Sequence, residues 1–298
     1  MYGGIEAGGT KFVCVIGTGP DEVAETLRID VAGPARTIGA ALAFFRAAVA
    51  AGTRITALGI GSFGPVELRR GNPAYGSITT TPKPGWSGTD IVGPFAAGLG
   101  IPVGFDTDVN AAALAEGRWG AARGLESFVY VTLGTGIGGG AVIDGRLLHG
   151  LGHPEMGHVA VARRPGDTFQ GVCPFHGDCL EGLASGPAVA ARFGGRAELL
   201  AGADRDAAAR LVGYYLAAGV RSLVYALAPQ RIVVGGGLSA LPGVIDAARA
   251  ELVAELGGYP GLAEHRDPVF LVPAMLGGSA GPAGTLILAE QAAREHGG

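Results

Sequence analysis

Apolar residues along the chain follow two spacings, and together they predict alternating strands and helices. "YGGIEAGG" followed by "KFVCVIG" reads as strand, glycine turn, strand. Residues 37–51 are alanine-rich, and Leu42, Phe44, Phe45 and Val49 recur at helix-like intervals. "ITALGIGSFGPVEL" (55–68) predicts a buried strand running into a loop, and "PVGFDTDVN" (102–110) a short strand that enters the helix "AAALAEGRWGAA". At 128–145, "FVYVTLGTGIGGGAVIDG" repeats the opening form: apolar strand, small-residue turn containing Gly-Thr, apolar strand. Helices are predicted at 186–193 and 204–227, a strand ending in three glycines at 231–239, and a last helix over roughly 279–295. The repeated hairpin reads as an internal duplication and hence as two α/β domains. We place them at 1–110 and 111–298, with the last helix able to pack back on the first.

The chain's 298 residues suffice for two such domains. Charged residues make up 16% and the formal net charge is −4, with no Lys/Arg run of the kind that marks a nucleic-acid-binding arm. No apolar run reaches the ~18 residues of a membrane span, and Glu6 and Lys11 interrupt the place where a signal core would lie. Three cysteines are an odd number, so a reduced, cytoplasmic setting is expected rather than a disulfide framework. Cys14, inside an apolar run, reads as a small core residue.

Composition matters most through glycine, which supplies 55 residues against a usual share of about 7%. Two of the glycine turns, "GGTK" (8–11) and "LGTGIGGG" (133–140), lie between strands. Backbone N–H groups in such a turn form a concavity that accepts an anion, Thr adds a hydroxyl, and Lys11 adds a charge. Because the glycines lead into a strand rather than a helix, neither turn is a Walker A or Rossmann fingerprint. A third turn, 235–237, follows a buried strand, and three in this order favour nucleotide binding over plain hairpins. The long segment "GNPAYGSITTTPKPGWSG" (71–88) is full of helix breakers, and long ordered loops are usually functional.

One stretch, "HPEMGHVAVARRPGDTFQGVCPFHGDC" (153–179), holds two of the three cysteines and three of the six histidines. Cys173, His176 and Cys179 give Cys-x2-His-x2-Cys, close enough to share one zinc, which takes four N/S ligands. The fourth is His158 or His153. No protein ligand is left over for an open position, so the expected zinc is structural.

"GGTK", "GTGIGGG", "HPEMGH", "CLEGLASGPA" and "VVGGGLS" occur in an order that resembles the ROK family of repressors, open reading frames and sugar kinases. "EAGGTKF", "TPKPGW", "DTDVN" and "HPEMGH…CPFHGDCLEG" are similar to its fructokinase branch, and the likeness covers essentially the whole chain. It implies a two-domain, actin-like ATPase (ribonuclease H-like) fold. ATP phosphates would then sit between two hairpins, Gly8, Gly9, Thr10 and Lys11 in one and Gly134, Thr135 and Gly136 in the other. Gly236 and Gly237 would lie on the adenosine side, and the sugar would occupy a cleft between the domains. A sugar hydroxyl needs a base to take its proton as the γ-phosphoryl group arrives, and the residue aligned with the family's base is Asp108. Asp106 reads as a capping or turn residue.

The wider family has Asn before the base and uses it on the sugar. Thr107 stands there here, so that contact is either lost or made differently. The resemblance gives His158 as the fourth zinc ligand. It gives Gly64, Pro65, Glu155, His158 and Glu181 as sugar contacts, the zinc fixing the loop that presents the last three. His149 and His153 are left as loop or supporting residues. Mg2+ is implied with ATP, and Glu6, where the wider family has Asp, would help place it through water.

The expected activity is therefore phosphorylation of D-fructose to fructose 6-phosphate. The alternatives are a glucokinase- or mannokinase-type enzyme and a non-catalytic sugar sensor. A repressor would need a DNA-binding segment before the first glycine turn, which begins at residue 8. A hexose and ATP are the expected partners, without nucleic acid or membrane, and a homodimer is the expected assembly.

Overall fold

The computed structural model describes residues 1–297. The chain divides into two compact units, neither of them one continuous stretch. The first comprises Met1–Ala115, Leu148–Pro154 and the segment from Gly278 onward; the second comprises Glu116–Leu147 and Glu155–Gly277.

In the first unit, β1 (Tyr2–Ala7) and β2 (Lys11–Gly19) form the antiparallel hairpin that the apolar pattern predicts. An edge strand, β3 (Glu22–Asp30), pairs with β2. Parallel strands β4 (Leu58–Ser62) and β5 (Val103–Thr107) follow on the other side, giving the order β3-β2-β1-β4-β5. Nearly all of β2 is buried because both faces of the sheet are covered. Phe12, Cys14 and Ile16 join Ile38, Ala41 and Phe45 of α1 (Pro34–Ala50) in one core cluster. Val13 and Val15 point the other way, onto Leu286 of α8 (Ala280–Gly297). The stripe that α1 buries is Ile38, Ala41, Phe45 and Ala48, not the set read from the larger residues, since Val49 is half exposed. Alanines carry this face because a helix lies closest to a sheet over small side chains. On the α8 face the approach is closer still: a Cβ on Gly59 would overlap the Thr285 carbonyl oxygen, and one on Gly104 that of Leu288.

The second unit repeats the scheme. β6 (Phe128–Leu133) and β7 (Ile137–Ile143) form an antiparallel hairpin, β8 (Arg146–Leu147) extends it, and β9 (Arg231–Gly235) and β10 (Leu271–Pro273) are parallel additions beside β6. The order β8-β7-β6-β9-β10 matches that of the first sheet strand for strand, which is the duplication at the level of topology. α6 (Gly202–Leu227) buries thirteen residues and packs against α7 (Val244–Leu256), with Gly213 of α6 against Ala247. The remaining helices are α2 (Gly93–Leu99) and α3 (Asp108–Trp119), then α4 (Leu180–Ala184) and α5 (Gly186–Phe193). Among the described residues, no helix is long and apolar enough to cross a membrane.

Candidate active site and metal centre

The first hairpin closes through the Gly8 N–H, which donates to the Lys11 carbonyl at 3.0 Å. A Cβ on Gly9 would meet nothing within 4 Å, so the space beside this turn is open. Glu6, near the end of β1, lies on the α8 face, its carboxyl against Gly281. Burial first, and the neighbouring Asp108 second, push its pKa up to about 7, although the charges of Lys11 and Arg28 oppose the shift.

Asp108 begins α3 directly after β5. Burial raises its carboxyl to about 6, against the pull of the Val109 N–H, which donates to Oδ1 at 2.9 Å. Strand and helix meet here because Thr107, itself buried, uses its hydroxyl to accept the Asn110 N–H at 3.1 Å. Thr107 is thus the residue that caps the helix. Asp106, read from the sequence as a capping or turn residue, bonds across the same junction without capping the helix. Its Oδ1 accepts from the Thr107 N–H (2.8 Å) and from the Asn110 Nδ2 (2.6 Å), and its Oδ2 lies 2.9 Å from His149 Nε2. A buried carboxylate with these partners fixes the strand end, and it raises the pKa of His149, favouring the imidazolium.

His149 and His153 both lie in the short segment that returns to the first unit. His153 accepts the Val66 N–H at Nε2 (3.0 Å), and burial lowers its pKa, so it is a neutral ring that holds the Gly64–Pro65 turn. These roles were missed from sequence. Asp106 and His149 are separated by 43 positions, and no local pattern links them.

In the second unit, the Gly134 N–H donates to the Gly136 carbonyl (2.9 Å), and the Gly186 N–H at the start of α5 donates to the Gly134 carbonyl (2.8 Å). Thr135 stands between those two glycines. Glu181 Oε2 accepts the Ile137 N–H at 2.9 Å, which places this carboxylate directly on the glycine turn. Gly236 has φ 86°, and a Cβ there would run into the Leu133 backbone, so only glycine lets the third turn lie beside the second hairpin; Gly237 follows it.

The short 3-10 turn Met156–His158 packs on β7, with Met156 against Gly139. Glu155, just before it, is exposed. The turn carries His158 to Cys173, His176 and Cys179, and the four ligand atoms all lie within 4.8 Å of one another. His158 Nδ1 is 3.6 Å from Cys173 Sγ and 3.5 Å from Cys179 Sγ, while His176 Nδ1 is 3.7 Å from Cys173 Sγ. Zn–S and Zn–N bonds of about 2.3 and 2.0 Å in a tetrahedron require S···N edges of about 3.5 Å. The donor set therefore fits zinc. Of the two histidines left open by sequence, His158 is the one in the cluster, and His153 is engaged with Val66. The loop between the ligands is anchored by Asp167, which pairs with Arg192 through two bonds of 2.9 and 2.8 Å and accepts the Tyr215 hydroxyl.

The ROK family model matches residues 2–292. The fructokinase of Zymomonas mobilis is 42% identical over 97% of this chain and 96% of its own length. The fructokinase of Pediococcus pentosaceus is 39% identical over 98% of each. Among solved structures, the ROK hexokinase of Thermus thermophilus superposes with a TM-score of 0.79 at 30% identity, covering 99% of both chains.

Proposed function

The chain belongs to the ROK family, and we propose that within it the protein is a fructokinase, which moves the γ-phosphoryl group of ATP to a hydroxyl of D-fructose and yields fructose 6-phosphate. Its fold is the actin-like ATPase fold of the ROK sugar kinases. The observation that carries the chemistry is Asp108, a carboxyl held at the end of β5 with its pKa raised to about 6. Such a group is roughly 90% ionised at pH 7 and yet basic enough to accept a hydroxyl proton as the phosphoryl group arrives. Full-length identity of about 40% to two fructokinases supports fructose over glucose or mannose.

In this reading Gly8, Gly9, Thr10, Lys11, Gly134, Thr135, Gly136, Gly236 and Gly237 hold the nucleotide. Gly64, Pro65, Thr107, Glu155, His158 and Glu181 surround the sugar. The Asp106–His149 pair keeps Asp108 in place. Zinc, bound by His158, Cys173, His176 and Cys179, supplies a structural clamp, and Mg2+ accompanies ATP, with Glu6 placed to steady its water shell.

Glu6 and Asp108 titrate as an interacting pair with apparent values of about 7 and about 6. Both must be ionised for metal placement and proton removal, so log kcat/KM should fall with a slope approaching two as the pH drops below about 6. In Glu6→Gln one group remains, so the fall that begins near pH 7 in the wild type should begin near 6 and keep a slope of one. A slope of one in the wild type would remove Glu6 from the mechanism.

Coupled ADP release with fructose, glucose, mannose and N-acetylmannosamine tests the substrate. Fructose should give the highest kcat/KM. A higher value for another hexose would reassign the substrate, and no hexose-dependent ADP release would overturn the kinase reading.

A further inference from the structure

The protein has 22 basic side chains, and 20 of them are Arg; the only two lysines are Lys11 and Lys83. They are 72 positions apart in sequence, yet both meet the same glycine turn. Lys11 opens β2 immediately after Gly8–Thr10. Lys83 Nζ donates to the Gly9 carbonyl oxygen. Resting on the kinase reading above, we propose that Lys83 is a phosphate-binding residue, whose ammonium contacts the transferring phosphoryl group at the first hairpin.

The loop that carries Lys83 is held rigidly. Trp86 is fully buried, its indole N–H donates to the Ala32 carbonyl at 3.2 Å, and its ring packs on Phe12 and Phe63 with centroids 5.7 and 5.5 Å away. The Trp86 N–H donates to the Lys83 carbonyl (3.2 Å), and the Gly88 N–H closes the loop on the Ile78 carbonyl (2.9 Å). Pro82 and Pro84 flank the lysine and restrict the backbone on both sides. A segment so constrained presents one side chain in one place, and that place is Gly9, beside open space.

The choice of lysine follows from geometry. An ammonium has three tetrahedrally arranged donors and a compact charge, whereas a guanidinium is a planar fork. One donor on Gly9 leaves two for phosphate oxygens. The same bond neutralises a carbonyl that would otherwise repel an anion in the turn. During transfer the sugar oxygen bonds to the γ-phosphorus, the bond from that phosphorus to the β-bridging oxygen breaks, ADP leaves with that oxygen, and the hydroxyl proton passes to Asp108. Negative charge on the moving group is what a fixed ammonium stabilises. In a chain that otherwise uses arginine throughout, lysine is kept at the two positions where a point charge suits the ligand.

The test uses the full-length protein and the variants Lys83→Met and Lys83→Arg, with circular dichroism and thermal melting to verify folding. Lys83→Met should lower kcat/KM for ATP by ~10²–10³-fold, the usual cost of one lost transition-state donor, and Lys83→Arg should restore no more than about a tenth of the wild-type value, because its planar fork does not reproduce the ammonium. Calorimetry should show weakened binding of the Mg2+ complex of AMP-PNP, with AMP and fructose affinities within about twofold of wild type, since AMP lacks the distal phosphates. If Lys83 merely pins the loop, AMP, AMP-PNP and fructose affinities will fall together, and that result overturns the proposal, as does a fully active Lys83→Met. Wild-type protein that releases no ADP with any hexose overturns the kinase reading instead, and the AMP-PNP and AMP titrations still decide the lysine's part.

Discussion

Asp108→Asn should lower kcat by about 10³-fold, within the 10²–10⁴ that a positioned general base contributes. Asparagine keeps the size of the side chain and an oxygen that can accept the Val109 N–H, so the start of α3 stays intact. What it loses is the ability to take a proton. The raised pKa shows that the site already disfavours charge on this carboxyl, so a neutral amide fits at little cost in stability, and fructose affinity should stay within about twofold. Steady-state kinetics with an independent fructose titration read both quantities. A variant that keeps half of the wild-type kcat would remove Asp108 from the role of base.

Loss of the metal centre should be the other large effect. Purified protein should carry about one zinc per chain by elemental analysis. Cys179→Ser, or exhaustive chelation, should remove it and weaken fructose binding by at least ten-fold, the lower end of what disrupting a metal's supporting contacts costs, while AMP-PNP affinity changes little. The reason is local: His158 is both a member of the His/Cys cluster and the end of the turn that begins at Glu155, and Glu181 follows Cys179 by two residues. Without zinc, three buried or half-buried ligands lose their common partner, and the turn loses its anchor. Metal-free protein with unaltered fructose affinity would sink this assignment, as would chelated protein that loses nucleotide affinity and keeps sugar affinity.

The parts of the molecule legible in the sequence share one property: their residues are near neighbours along the chain. The two hairpins show as apolar runs broken by Gly-Thr. The His/Cys cluster shows because its four residues fall within 21 positions. β3 does not show, since it is a mostly exposed edge whose residues lack the alternation that marks a half-buried strand. The inward face of α1 was misjudged toward Val49 because alanine gives a weak hydropathic signal even where it is buried, as Ala41 and Ala48 are. The pairs Asp106–His149, Val66–His153 and Gly9–Lys83 depend on how distant segments are brought together. Only the fold reveals them.

The close seating of α8 on the first sheet has a consequence for biosynthesis. Gly59 and Gly104 leave β4 and β5 without side chains where the helix crosses them, and the helix that covers this face spans residues 280–297. The last strand it covers, β5, ends at Thr107, so about 170 residues must be made before the lid begins to emerge. At 5–20 residues per second the N-terminal sheet waits on the order of ten to thirty seconds with one apolar face open to water. The N-terminal sheet is therefore completed by a helix made much later, and that exposed interval is when a holding chaperone would have most to protect.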